Sequence, residues 1–224
     1  MLRQLNEALR QCDRTSIRVV LLDSAVPRAF SAGVDVRDHA PDRLDAMLTE
    51  VRENARLLLT LTPVTIAAIH GTALGGGAEI ALLCDLVIAA DDLMFGFPEI
   101  KLAAFPPVAA ACLAEHCGAT RAVQLLLGEP IDATAAHRAG LVSRVVAANQ
   151  LAETAERVAT DLAAYSAVAL GAVTAAARTQ RAKAILQRLD AAIALYQTRV
   201  APSLDAEEGV RAFLDKRPPV WSHH

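Results

Sequence analysis

No stretch of this 224-residue chain is rich in lysine and arginine, and its formal net charge is only −3. A phosphate backbone demands a basic stripe or patch, so nucleic acid is excluded as the main partner. No window reaches the ~18 apolar residues that a membrane span requires. Asp85, Asp91, Asp92, Glu115 and His116 interrupt the longest apolar stretches. The opening MLRQLNEALRQC has the spacing of an amphipathic helix and no continuous apolar segment, so it does not read as a signal peptide. These absences predict a soluble, cytoplasmic protein with no membrane partner. None of the four cysteines, Cys12, Cys84, Cys112 and Cys117, forms a C-x-x-C pair. That argues against zinc and leaves buried thiols as the expectation, with no metal site.

What the chain does contain is core material: 54% of its residues are hydrophobic. Its length predicts one domain, or one domain with an appendage. Leu2 to Cys12 reads as a helix, and IRVVLLD (17–23) as a short buried strand. VPRAFSAGVD (26–35) reads as a turn-rich loop. Residues 41–60 place Leu44, Met47, Leu48, Val51, Ala55, Leu58 and Leu59 at helical spacing, with Pro41 near the start. PVTIAAIH (63–70) and DLVIAA (85–90) read as two more buried strands, joined by a glycine turn and a short helix. LVSRVV, after Gly140, is a further strand. From Gln150 onward the text turns Ala-, Arg- and Glu-rich and wholly helical. The expected division is an α/β core over residues 1–148 and a helical C-terminal region over 149–224.

The glycine turn, HGTALGGGAEIALLCD (70–85), lacks the Lys-Ser/Thr of a phosphate-binding loop and the spacing of G-x-G-x-x-G. A tight strand-to-helix connection accounts for one or two glycines. Three in a row suggest that a backbone N–H is being exposed to a ligand. The first N–H groups of a helix have no internal partner, and the helix dipole makes that end partly positive. The N–H of Gly76, at the start of a helix over 77–84, can therefore stabilise an oxyanion. A second donor is the N–H of Val34, on a loop that Gly33 allows to turn. Glu79 lies three residues beyond Gly76 and can aim at the same space. Glu99 follows Pro98; from its neighbours alone it reads as a solvated turn carboxylate.

AFSAGVDV (29–36), HGTALGGGAEIALLCDLVIAA (70–90), FGFPEIKL (95–102), AHRAGLVSRVV (136–146) and EGVRAFLDKR (208–217) occur in one order across nearly the whole chain. In that combination the sequence resembles the crotonase (enoyl-CoA hydratase/isomerase) superfamily. The resemblance implies an α/β spiral of ββα units with a C-terminal helical trimerisation region, a homotrimer or dimer of trimers. It implies an acyl-CoA thioester as substrate, with coenzyme A part of that substrate and no separate cofactor. Val34 and Gly76 become the two amides of an oxyanion hole. Glu79 and Glu99 match the two glutamates of hydratases, which add water across an enoyl-CoA double bond. Substrate or CoA contacts are implied at Ala32, Val34, Asp35, Val36, Arg37, Gly75, Gly76, Phe105, Pro107, Phe213 and Lys216.

Other readings remain open beside hydration: a double-bond isomerase, which needs one carboxylate, and a weakly active homologue that only binds acyl-CoA. The family's opening strands, with a loop that helps hold the nucleotide end of CoA, are expected to be missing ahead of Met1, exposing a strand edge. Where hydratases offer a backbone N–H to the reacting water, Pro107 has none. FSAGVDVRDH with PEIKLAAFPPVA resembles the branch acting on cyclic dienoyl-CoA, such as cyclohexa-1,5-diene-1-carbonyl-CoA. Phe97, Phe105, Pro106 and Pro107 would then shape the acyl pocket, with His39 a weaker candidate for its wall. Arg37 can approach the CoA phosphates, and Phe213 and Lys216 match a motif that serves a neighbouring subunit's CoA site. His70 reads as a satisfied strand-end histidine, and Asp35 and Asp85 as capping or structural carboxylates. His223 and His224 have no assigned role.

Overall fold

The computed structural model describes residues 1–12 and 17–224. Helix α1 (Leu2–Cys12) follows its amphipathic spacing: Leu9 and Asn6 are buried against α2 (Leu44–Thr60), and the arginines face outward. The three apolar runs form a parallel sheet with a fourth strand. Its strands are β1 (Val19–Leu22), β3 (Val64–Ile69), β5 (Leu86–Ala90) and β8 (Arg144–Val146), in the order β1-β3-β5-β8 with β1 at an edge. A parallel sheet covered on both faces needs continuous apolar strands. In β3, alternate side chains go opposite ways. Ile66 and Ala68 pack toward α7 (Leu151–Ala163), and Ala67 and Ile69 into the larger core on the other face.

A second sheet stands beside the first. β2 (Ala29–Ser31), β4 (Thr72–Leu74) and β6 (Met94–Gly96) run parallel, and β7 (Ile131–Asp132) pairs antiparallel with β6. This corrects the reading of residues 26–35 as loop alone. The strands β2, β4 and β6 have only three residues each, too few to carry a hydrophobic period, and backbone pairing defines them. Each long strand hands over to a short one and then to a helix. The three units are β1–β2–α2, β3–β4–α3 (Gly76–Leu83) and β5–β6–α4 (Pro107–Cys117). That is the expected spiral of ββα units. It brings the segment after each short strand to one end of the molecule.

Beyond Gln150 the described elements are helical, as expected. α7 covers the first sheet, while α8 (Ala167–Leu195) packs on α2 and α4 and runs on through Tyr196–Val200. α8 is pinned by Arg178, whose Nε gives a 2.6 Å hydrogen bond to Asp85 and whose other nitrogens reach the Leu61 and Pro63 carbonyls. Asp85 also accepts from the Thr65 N–H at 2.7 Å, which is the structural role expected of it. α9 (Leu204–Leu214) is capped by Ser203 and lies against the 3-10 turn Pro98–Leu102. Contact there is so close that a methyl on Gly209 would run into the Leu102 carbonyl. Cys84 and Cys112 are buried thiols, and Cys117 is half-buried. Among the described residues no single helix is long and apolar enough to cross a membrane. Nor does any cluster of three His, Cys, Asp or Glu side chains among them suit a metal ion.

Candidate active site

The three segments that leave the second sheet, with two from the C-terminal helices, enclose a cavity of about 330 Å3. The loop after β2 contributes Ala32, Val34 and Val36. The glycine turn after β4 contributes Gly75, Gly76 and Glu79. The turn after β6 and the start of α4 contribute Glu99, Phe105 and Pro107, and α9 contributes Phe213. Asp35, Arg37 and Lys216 lie outside this wall.

The two loop amides lie close together. Val34 N stands 3.6 Å from the place a Cβ on Gly76 would take, and Gly76 N stands 3.3 Å from the corresponding place on Gly33. Among the described residues neither N–H donates to a protein acceptor. Gly76 is the first residue of α3, so its N–H belongs to the helix end where the dipole is positive. A pair of unengaged amides beside one cavity can receive a developing negative charge on a carbonyl oxygen.

Glu79 is buried on the first turn of α3. One of its oxygens accepts N–H bonds from Val108 at 2.8 Å and Ala109 at 2.9 Å. Pro107 has no N–H to give, but it starts α4 and leaves the next two amides aimed at the carboxylate. Burial pushes the Glu79 pKa up to about 7, against the pull of those two donors. Glu99 is also buried, which corrects the local reading of a solvated turn. The turn that carries it packs against α9, a contact remote in sequence. Burial, and then the charge of Glu79, push the Glu99 pKa up to about 8. Its Oε2 is buried with no hydrogen-bond partner. Two amide donors favour the ionised form of Glu79, whereas Glu99 Oε2 has no such donor. One cavity thus holds two buried carboxyl groups and, among the described residues, two unengaged amides.

Asp35 accepts from the Arg37 N–H at 3.0 Å and caps the short turn Val36–His39, as expected. The Arg37 guanidinium, 2.9 Å from Asp35 at its Nε, holds that carboxyl well below the usual range. Phe213 is 57% exposed and lines this chain's own cavity, where the resemblance implied a neighbouring subunit's site. His70 bonds the Val26 carbonyl at 2.9 Å and is absent from the cavity wall, as its strand-end reading requires.

Sequence reasoning missed three parts of the wall. Met47, Leu48 and Val51 of α2 read as ordinary core positions. Lys101, exposed, stands on the rim. Tyr196, at the end of α8, is buried and hydrogen-bonded to His39 Nδ1 at 3.1 Å. Its ring centroid lies 5.1 Å from that of Phe105.

A family model described as enoyl-CoA hydratase/isomerase matches residues 1–224. The chain is 36% identical over 225 residues to cyclohexa-1,5-dienecarbonyl-CoA hydratase of Thauera aromatica, covering all of this chain and 86% of that protein. It is 37% identical over 223 residues to 2,3-dehydroadipyl-CoA hydratase of Escherichia coli (strain K12), covering 98% of this chain and 86% of the other. Among solved structures, carnitinyl-CoA hydratase from Mycobacterium avium superposes with a TM-score of 0.86 at 28% identity, covering 100% of this chain and 88% of that one. Matched along its whole length, and with relatives more than a third identical, the chain belongs to the enoyl-CoA hydratase/isomerase family.

Proposed function

We propose that this protein adds water across the α,β double bond of an enoyl-CoA thioester, with Glu79 as base, Glu99 as acid, and the Val34 and Gly76 amides as the oxyanion hole. The observation that carries this reading is the pair of buried glutamates facing one cavity with their pKa values pushed upward. The thioester carbonyl accepts from both amides. Ionised Glu79 takes a proton from water as its oxygen attacks Cβ. Electron density moves to the thioester oxygen, where the hole stabilises the enolate; one such donor is worth on the order of 3 kcal/mol. The enolate collapses by taking the Glu99 proton at Cα. An isomerase needs only one carboxylate, whereas here two are buried, which favours hydration.

Ala32, Val36, Gly75, Phe105 and Pro107 bound the thioester and acyl group. The rest of CoA passes over the rim, where Arg37, beside its partner Asp35, meets the phosphates, and Phe213 and Lys216 flank the nucleotide. No further cofactor enters this scheme. Among hydrocarbon acyl groups, the compact, largely apolar chamber makes the cyclic dienoyl thioester named for the Thauera relative the first to try. Residues 149–224 are assigned to self-association, as a trimer or pair of trimers. Exposed Val168, Val173 and Leu204 in this region support that assignment, and light scattering of the eluted protein tests it. For the reaction, loss of the conjugated absorbance of crotonyl-CoA and of a cyclic dienoyl-CoA is the assay. Turnover that survives in both Glu79→Gln and Glu99→Gln would refute the assignment.

A further inference from the structure

The acyl chamber is lined mostly by aliphatic and aromatic side chains, but His39 and Tyr196 place a polar pair in its wall. Neither belongs to the reaction described above. A neutral imidazole carries one N–H and one bare nitrogen, and a phenol carries one O–H. Burial pushes the His39 pKa down, so the ring is neutral. The pair then owns two donors, and its mutual bond of 3.1 Å uses one. If Tyr196 donates to Nδ1, His39 Nε2–H is left over. If Nδ1–H donates, the Tyr196 O–H is left over. Either tautomer leaves one donor unspent, and among the described residues no protein acceptor is recorded for it. Tyr196 is fixed: it is 3% exposed and packed on Phe105. Tyr196 and Glu99 line the same cavity.

We propose that the His39–Tyr196 pair determines acyl specificity by donating one hydrogen bond to an uncharged oxygen on the acyl group, so that the substrate class is a hydroxyl- or carbonyl-bearing enoyl-CoA. Pockets of this kind owe orientation to a few placed polar groups in an apolar wall. A buried donor left without an acceptor penalises the hydrocarbon analogue. An uncharged oxygen fits better than a carboxylate because the pair is neutral and the same cavity already holds two glutamates. Lys101, a cation in the cavity wall, is exposed at the rim.

This inference rests on the hydratase reading, so its test separates the two. Wild type, Tyr196→Phe and His39→Leu, singly and combined, are assayed with 5-hydroxyhexenoyl-CoA, its 5-methyl isostere and the carboxylate analogue dehydroadipyl-CoA. Wild type is expected to prefer the hydroxyl over the methyl compound in kcat/KM by about tenfold or more, the worth of one hydrogen bond. That ratio should fall to near one when Tyr196→Phe and His39→Leu are combined, because each substitution alone leaves the other residue one free donor. A purely structural or acid-tuning role would lower both rates and leave the ratio intact, and would overturn the proposal. So would a wild-type preference for the methyl compound or the carboxylate. Should wild type hydrate none of them, the hydratase reading fails. The same ratios taken from dissociation constants by calorimetry then decide the specificity claim on their own.

Discussion

A methyl group placed on Gly75 would sit 2.6 Å from Oε1 of Glu99. The acid therefore occupies the space that a side chain at Gly75 would fill. The first glycine of the triple is what lets a carboxylate approach the backbone of the turn beside Gly76. Gly75 also has a positive φ of 54°, which L side chains rarely adopt.

Gly75→Ala should accordingly damage chemistry more than folding. The backbone strain costs about 1–2 kcal/mol. Displacement of Glu99 should lower kcat by about a hundredfold or more, as a small misplacement of a catalytic group does. Steady-state kinetics with a parallel thermal melt checks this; a variant that melts lower but turns over normally would show that the contact is only structural.

The raised carboxyl pKa values make stability fall with rising pH. In the unfolded chain Glu99 loses its proton near 4.5, whereas in the fold it keeps it to about 8. Between those values the folded state binds more protons, so stability is full below about 4.5 and is lost as pH climbs through about 8. Glu99→Gln stays neutral throughout. Its unfolding free energy should match wild type near pH 5 and exceed it near pH 9, by on the order of 2 kcal/mol or more, with a higher melting temperature there. Melts across that range test the sign; a variant less stable at high pH would contradict it.

Turnover needs Glu79 ionised and Glu99 protonated. The pH profile of kcat/KM should therefore be a narrow bell, its acid limb near about 7 and its alkaline limb near about 8. The limbs belong to the pair jointly. A flat profile from pH 5 to 9 would be incompatible with this division of roles.

The Arg178–Asp85 pair ties α8 to the first sheet, with Arg178 only 7% exposed. Removing one partner strands a buried charge and its carbonyl contacts. Arg178→Ala or Asp85→Ala should each cost about 3–5 kcal/mol of unfolding free energy. The double variant should cost well below their sum, which chemical denaturation can measure.

Much of the site was legible in the sequence because one motif carries several elements at once. The triple glycine fixes the turn, the helix start and the place of Glu79, all within a few residues. Glu99 was less legible: its carboxyl is buried beside Gly75, and its turn packs on α9, both contacts remote in sequence. Strands β2, β4 and β6 were missed because three residues cannot show a period. Tyr196 sits in an Ala-rich helical run whose pattern says only that the residue is on some face. Which face meets His39 depends on how α8 crosses α2. Asp35 was readable both as a cap and as a CoA contact; the fold places the cap, and the CoA contacts of Asp35 and Arg37 remain part of the proposal.

The most direct measurement is the fate of labelled water. Crotonyl-CoA or a cyclic dienoyl-CoA is incubated with the enzyme in 18O-water, and the products are weighed by mass spectrometry. Hydration through Glu79 and Glu99 predicts a product heavier by one labelled water, with the label in a new hydroxyl. A product of unchanged mass with a shifted double bond would contradict it.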